Sequence, residues 1–429
     1  MEEPLTEGRT KIDAAALEVL ETRAGKQPGA GLLPTGQPAF GGTGGRIEGM
    51  EIQPENQRPP ELAETRLRVE NWALWLGLAW TVAGTLVGFI GFARYRPNLA
   101  GAGSVALYAA IVAGFAATSG SLTGYLRILL LTQPWLKGFP LYRQVTNAVA
   151  LVIIHAAISV MAALVTFRIF QNSFLGLTVD RYAGGLMVGV CAGIAAYIAL
   201  TSAARLTAQS LSTLLAVFLA TGVFISMLAA DNPLWWTGMF STLGTWQSGL
   251  TSFWSFNVTL VVSGLVLSTL TAFIVRDLGL MARLHDDYAK AMGRPPARFM
   301  RPRPAVVRVC LLGLGICTMG IGLVPIDVAE PVHSWLARLA VGFIAVLLLG
   351  AAFWLPGFPV AFHLFTLACL LGITGAGLLW RPLRYYDLTA FELAIVGTII
   401  GWLAVFVRTT SAALAVDEKA LERALAVNG

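Results

Sequence analysis

Eight residues carry side chains that could do chemistry in otherwise apolar surroundings. Asp327 and Glu330 stand in a D-x-x-E spacing, His333 and Arg338 follow them, and Glu392 comes later. Asp231 opens a stretch that also holds Trp235 and Trp236. A carboxylate near an imidazole is what general acid–base transfer uses, with Asp327 and His333 in those roles. Within a membrane segment the same groups could relay protons, because ionisable residues are costly there and mark pathways. The structural alternative is equally concrete. Asp327 can accept from an orphan N–H at a helix start, while Glu330 favours the positive helix end. Arg338 would then lie about two to three turns inside that helix, where a charge costs at least a few kcal/mol unless paired. It is expected to face the interior with an acidic partner: Glu392 first, then Asp327 and Asp231.

Other chemistries find less support. His155, His333 and His363 fall in three separate apolar segments, and no spacing joins them to Asp327 as a hydrolase site. Lone intramembrane histidines are expected to hydrogen-bond a neighbouring helix. No GxxxxGK[ST], HExxH, GxSxG or strand-borne GxGxxG occurs, so neither nucleotide-driven nor zinc-protease chemistry has a motif to rest on. Cys191, Cys310, Cys317 and Cys369 lie inside apolar runs with no CxxC pair, and read as buried structural thiols. No catalytic residue, cofactor or metal is implied.

The elements that must position these residues follow from composition. Of 429 residues 56% are hydrophobic and 13% charged, against about 25% charged in soluble domains. Such a chain cannot cover a water-soluble surface, so most of it must face lipid. Apolar segments at 72–93, 104–131, 145–168, 184–203, 209–230, 256–276, 306–325, 333–353, 358–380 and 388–408 predict an all-α polytopic transmembrane bundle of about ten helices. Backbone groups in lipid must be satisfied within the segment, which requires helices. The second segment carries ATSGSLTG at its middle and is either one helix with a weak centre or a broken helix lining a cavity. Residues 1–67 read as a cytoplasmic disordered tail. Lys11–Lys26 has helical spacing that could dock a protein partner, and 27–62 is a Gly/Pro-rich linker. A four-helix region over 68–204, a six-helix domain over 205–412 and a cytoplasmic tail over 413–429 complete the organisation.

Lysine and arginine decide the orientation. With ten spans, 23 fall on the side of the termini and six opposite, with Arg338 inside a span. Both termini are therefore expected in the cytoplasm of a cell-membrane protein. The net charge of +6 follows from this topology, and no basic patch interleaved with stacking aromatics points to nucleic acid. The opening residues are polar, so no secretory signal is expected there. Arg276–Arg308 holds eight of the cationic residues. Leu284, Tyr288 and Met292 continue an apolar face into it, so an amphipathic extension and a basic strip for anionic lipid headgroups are expected. Small residues mark helix contacts: Gly185, Gly189 and Gly193 in one segment, Gly84 and Gly88 in another.

The stretch Asp231–Asn257 has no lysine or arginine and four tryptophans, Trp235, Trp236, Trp246 and Trp254. Tryptophan settles at headgroup depth, so this loop is either an aromatic belt or a lid over a lipid-facing cavity. Together with GLVPIDVAEPVHSWLARLA it resembles a bacterial multi-pass membrane family known as domain of unknown function 998. The resemblance rests on Ser241–Gly244, Phe256–Asn257, Gly322–Asp327 and His333, and covers roughly 205–412. It implies a fold and candidate positions but no reaction. The expectation is a non-enzymatic protein that binds or moves a lipid or hydrophobic small molecule in envelope upkeep. The alternatives are a proton-coupled transporter, a scaffold or partner subunit, and a lipid-headgroup hydrolase or transferase. The orientation is directly testable. Thr245→Cys and Ala329→Cys should react with an impermeant thiol reagent added outside intact cells, and Ala289→Cys should not. Outside labelling at 289 would contradict it.

Overall fold

The computed structural model describes residues 59–293, 295 and 301–428. Ten helices among them are long and apolar enough to cross a membrane. They are α1 (Pro59–Gly91), α2 (Val105–Gly124), α3 (Leu141–Ser173), α4 (Arg181–Ala204), α5 (Ala208–Leu228), α6 (Leu250–Ala291), α7 (Pro304–Leu323), α8 (Glu330–Leu349), α9 (Val360–Trp380) and α10 (Leu388–Asn428). No β-strand occurs among the described residues, only an isolated bridge between Asn98 and Thr178. The chain is an all-α, multi-pass membrane protein.

The small-residue faces meet each other. A Cβ at Gly84 would come within 2.9 Å of Gly189 Cα, and one at Gly88 within 2.7 Å of Gly185 Cα. At Gly193 it would press on the Gly77 carbonyl. In lipid no hydrophobic force drives helices together, so this backbone approach is what joins α1 to α4. At one end of the contact Glu70 accepts from Tyr197 Oη at 2.6 Å and pairs with Arg205 at 2.7 Å. Further along its length α4 takes α2, with Gly120 against the Ala196 carbonyl and Gly124 against that of Leu200.

That packing settles ATSGSLTG, which is helical throughout. Its hydroxyls bond their own helix: Thr118 Oγ1 donates to the Gly114 carbonyl at 2.9 Å, Ser121 Oγ to Ala117 at 2.8 Å and Thr123 Oγ1 to Ser119 at 2.7 Å. Polar side chains thus leave no unpaired group facing lipid. The irregularity falls one turn later, as a π-turn over Tyr125–Leu129.

Helix α3 packs on α2 and also on α5 and α6. Its Leu151 and Ile154 join a core with Leu215, Leu270 and Trp402 that runs into the last six helices. His155 lies at the edge of that contact, its Nδ1 2.7 Å from the Leu151 carbonyl and its Nε2 3.0 Å from Ser202 Oγ of α4. This is the inter-helix bond expected of a lone buried histidine.

Short connections make successive helices antiparallel, so α6 and α10 run the same way. They are in contact and have 42 and 41 residues. At about 1.5 Å per residue each exceeds 60 Å, about twice the hydrocarbon core. Residues 413–428, expected as a separate tail, continue α10, with Leu421 and Ala424 buried. The extension expected beyond the sixth span exists, although Leu278, Met281, Ala282 and Ala289 are its buried residues beside Leu284, while Tyr288 and Met292 are exposed. The first helix begins at Pro59, inside the stretch expected as linker or tail. Lys11–Lys26, Arg294 and Arg298 lie outside the described residues.

Two predictions follow from packing. Thr245 and Ala289 are buried, so in a cysteine-free background exposed Gln247 and Val328 replace the outer labelling positions, and exposed Lys290 the inner one. Gly189→Val should lower Tm in detergent through overpacking worth about 1–3 kcal/mol. Gly342, whose Cβ would meet nothing within 4 Å, should accept alanine without loss. A Gly189→Val protein as stable as the parent would contradict the α1–α4 contact.

Candidate functional site

Between α5 and α6, residues 229–249 fold into three single 3₁₀ turns, Trp235–Thr237, Phe240–Gly244 and Trp246–Ser248. The loop closes at its base, where the Asp231 N–H donates to the Ser248 carbonyl at 3.0 Å. Gly249 follows with φ +90°, and the Asp231 carboxylate occupies the place a Cβ would take. Only glycine meets both conditions comfortably.

Inside the loop nearly every hydroxyl turns back onto a carbonyl. Thr242 donates to Met239 and Thr245 to Thr242, both at 2.7 Å, and Ser248 donates to Leu243 at 2.7 Å. From α6, Ser252 reaches the Leu243 carbonyl at 3.0 Å and Asn257 Nδ2 reaches that of Gly244 at 2.8 Å. Ser226 of α5 lies 2.9 Å from Ser252 Oγ, both buried. Leu243, Phe240 and Phe256 form the apolar plug beneath, with the two phenyl rings edge to face at 5.1 Å.

Two carboxylates from distant segments fasten this loop. Glu392 of α10 accepts from the Phe240 N–H at 2.6 Å. Asp327, in the α7–α8 connection, accepts from the Trp246 N–H at 2.9 Å. An ionised acceptor shortens and strengthens such a bond. His333, 5% exposed, has Nδ1 2.8 Å from the Val324 carbonyl and so braces that connection from α8.

These placements correct two expectations. Asp327 does not cap α8: the N-cap residue is Ala329, and no side-chain cap bond forms. Glu330 stands exposed in the first turn, where only the helix dipole favours it. Arg338 pairs with none of Glu392, Asp327 or Asp231, and none of the four ion pairs among the described residues includes it. It sits on the exposed face of α8, its guanidinium 5.5 Å from the Trp335 ring centroid. Eight residues separate it from the helix start, about 12 Å, within reach of a snorkelling side chain. The anticipated partner, Glu392, is held by Phe240 instead.

The structure therefore gathers Asp231, Trp235, Asp327 and Glu392 around one loop, with His333 bracing its neighbour. It leaves Trp236, Glu330 and Arg338 on the outside. Among the described residues no hydrogen bond joins two of the proposed acid and base side chains. Ser226, Ser248, Ser252 and Asn257 belong to the same network. Only Asn257 carried a sequence signal, within the Phe256–Asn257 pair. Among the described residues no group of three or more His, Cys, Asp or Glu could hold a metal ion.

Three tryptophans of this region face outward. Trp236 is 49% exposed, and Trp246 and Trp254 are each 54% exposed. Trp246 stacks on Phe253 at 3.8 Å and meets Trp254 edge-on at 6.5 Å. Searches of family models, curated proteins and solved structures give no match to this chain.

The clamp predicts graded losses. Glu392→Ala should cost about 1.5–3 kcal/mol, as for a half-buried charged acceptor, and exposed Asp327→Ala about 0.5–1.5 kcal/mol. Arg338→Ala should stay within about 0.5 kcal/mol. The Arg338/Glu392 double mutant should be additive in detergent unfolding. A coupling above about 1 kcal/mol would restore the ion pair.

Proposed function

We propose that this chain is a non-enzymatic membrane protein whose tryptophan loop holds a lipid or other hydrophobic small molecule against the bundle surface. One observation carries the reading. The Phe240 and Trp246 N–H groups and the Gly244 carbonyl of the loop are taken by Glu392, Asp327 and Asn257, while Trp236, Trp246 and Trp254 face out. Such a surface offers rigid apolar area with indole N–H donors at its edge, which suits an amphiphile lying at the interface. Asp327, Glu392 and the His333 imidazole are tied to backbone partners, which argues against a relay or an acid–base pair built from them. The orientation proposed from the charge distribution puts this loop on the outer face of the cell membrane, a place consistent with envelope upkeep. Kinship with the domain of unknown function 998 proteins is part of the proposal. The four short stretches behind it meet here, since Asn257 bonds Gly244, Gly322 packs on the Asn257 carbonyl, and Asp327 holds Trp246.

Native mass spectrometry of the detergent-purified protein tests the reading. The parent should retain an amphiphile-sized adduct that resists delipidation, and the Trp236→Ala/Trp254→Ala protein should lose it with Tm unchanged. No adduct on the parent, or the same adduct on the variant, would overturn it.

A further inference from the structure

A second feature lies at the opposite end of the bundle. Where α6 leaves the core, Gly279, Ala282 and Arg283 lie on one helix face and form one wall of a cavity of about 560 Å³. Arg301, Pro302, Arg303 and Pro304, leading into α7, form the other. The volume falls within the about 300–1,000 Å³ of small-molecule sites.

Two of the arginines are held in place. Asp286 pairs with Arg301 at 2.9 Å. Arg303 lies 5.4 Å from the Trp354 ring centroid, and its N–H donates to the Trp354 carbonyl at 2.8 Å. Arg283 is exposed and has no ion-pair partner among the described residues. The lining carries three arginines and no carboxylate, and among the described residues only Arg301 of the three has an ion-pair partner. The N-terminus of α7 opens beside it without a side-chain cap, adding orphan N–H groups and the positive end of a helix dipole.

Depth narrows the ligand. Helix α7 has 20 residues, about 30 Å, the thickness of the hydrocarbon core. Its first residue, Pro304, therefore marks the core edge and puts the cavity at headgroup level. Planar guanidinium groups match phosphate geometry bidentately. We propose that this cavity is a binding site for a phosphate group, carried by an anionic lipid headgroup or by a soluble phosphate compound. The site is remote from the tryptophan loop and does not depend on that reading.

The test uses the full chain in a neutral maltoside detergent, with Tm as readout. The additions are dioleoylphosphatidylglycerol, dioleoylphosphatidylcholine, and inorganic phosphate against chloride at equal ionic strength. Saturable stabilisation by the anionic lipid is expected, with none by the zwitterionic one. Arg283→Gln should weaken apparent affinity about tenfold, equivalent to about 1.4 kcal/mol. Gly279→Leu should do the same while keeping all three arginines, because its Cβ meets nothing within 4 Å and the side chain can enter the cavity. An effect of the lipid alone identifies a headgroup, and an equal, variant-sensitive effect of phosphate identifies a soluble compound. The proposal is overturned if neither ligand stabilises the protein, or if both variants respond as the parent does.

Discussion

A backbone N–H or carbonyl with no water beside it must find a partner in the chain, and most of this structure answers that constraint. It makes the spanning segments helical and turns the hydroxyls of α2 back onto its own carbonyls. It also explains the loop between α5 and α6. The loop has no lysine or arginine, and two of its amides, the Phe240 and Trp246 N–H groups, are met by Glu392 and Asp327. Once those bonds form, the aromatic side chains are presented outward.

Packing then follows from where side chains are smallest. Gly84 and Gly88 against Gly185 and Gly189 bring α1 and α4 into backbone contact, and Gly120 and Gly124 admit α2 further along α4. Helix α3 carries this group onto α5 and α6. Long helices α6 and α10 continue past the core together and extend the opposite end of the bundle. The two ends thus differ in chemistry: exposed indoles at one, clustered guanidinium groups at the other.

Much of this was legible in the sequence, because hydrophobic run length and small-residue spacing are local signals. All ten spans and both glycine faces could be read that way. The partners of the ionisable groups could not. Glu392 and Phe240 are 152 residues apart, and a backbone N–H leaves no trace in the side-chain pattern, so Arg338 looked like the natural partner. The direction a helix turns its charge was equally hidden. Arg338 lies near enough to the helix end to stay on the outer face beside Trp335, and burial was not forced. Asp327 matched a capping pattern, yet α8 begins at Glu330 after Ala329, and its carboxylate serves a different chain segment. The C-terminal helix was misjudged because Asp417, Glu418 and Lys419 resemble a solvated tail while Leu421 and Ala424 are buried.

The central claim is that two distant carboxylates fasten the tryptophan loop. Hydrogen exchange of the purified protein, followed by mass spectrometry on peptides covering residues 235–249, measures this directly. The parent loop should be protected to nearly the level of the adjoining turns of α5 and α6. Asp327→Ala and Glu392→Ala together should release that protection while leaving α1–α4 unchanged. A parent loop that exchanges as fast as an unstructured peptide, or a double variant with undiminished protection, would contradict the account.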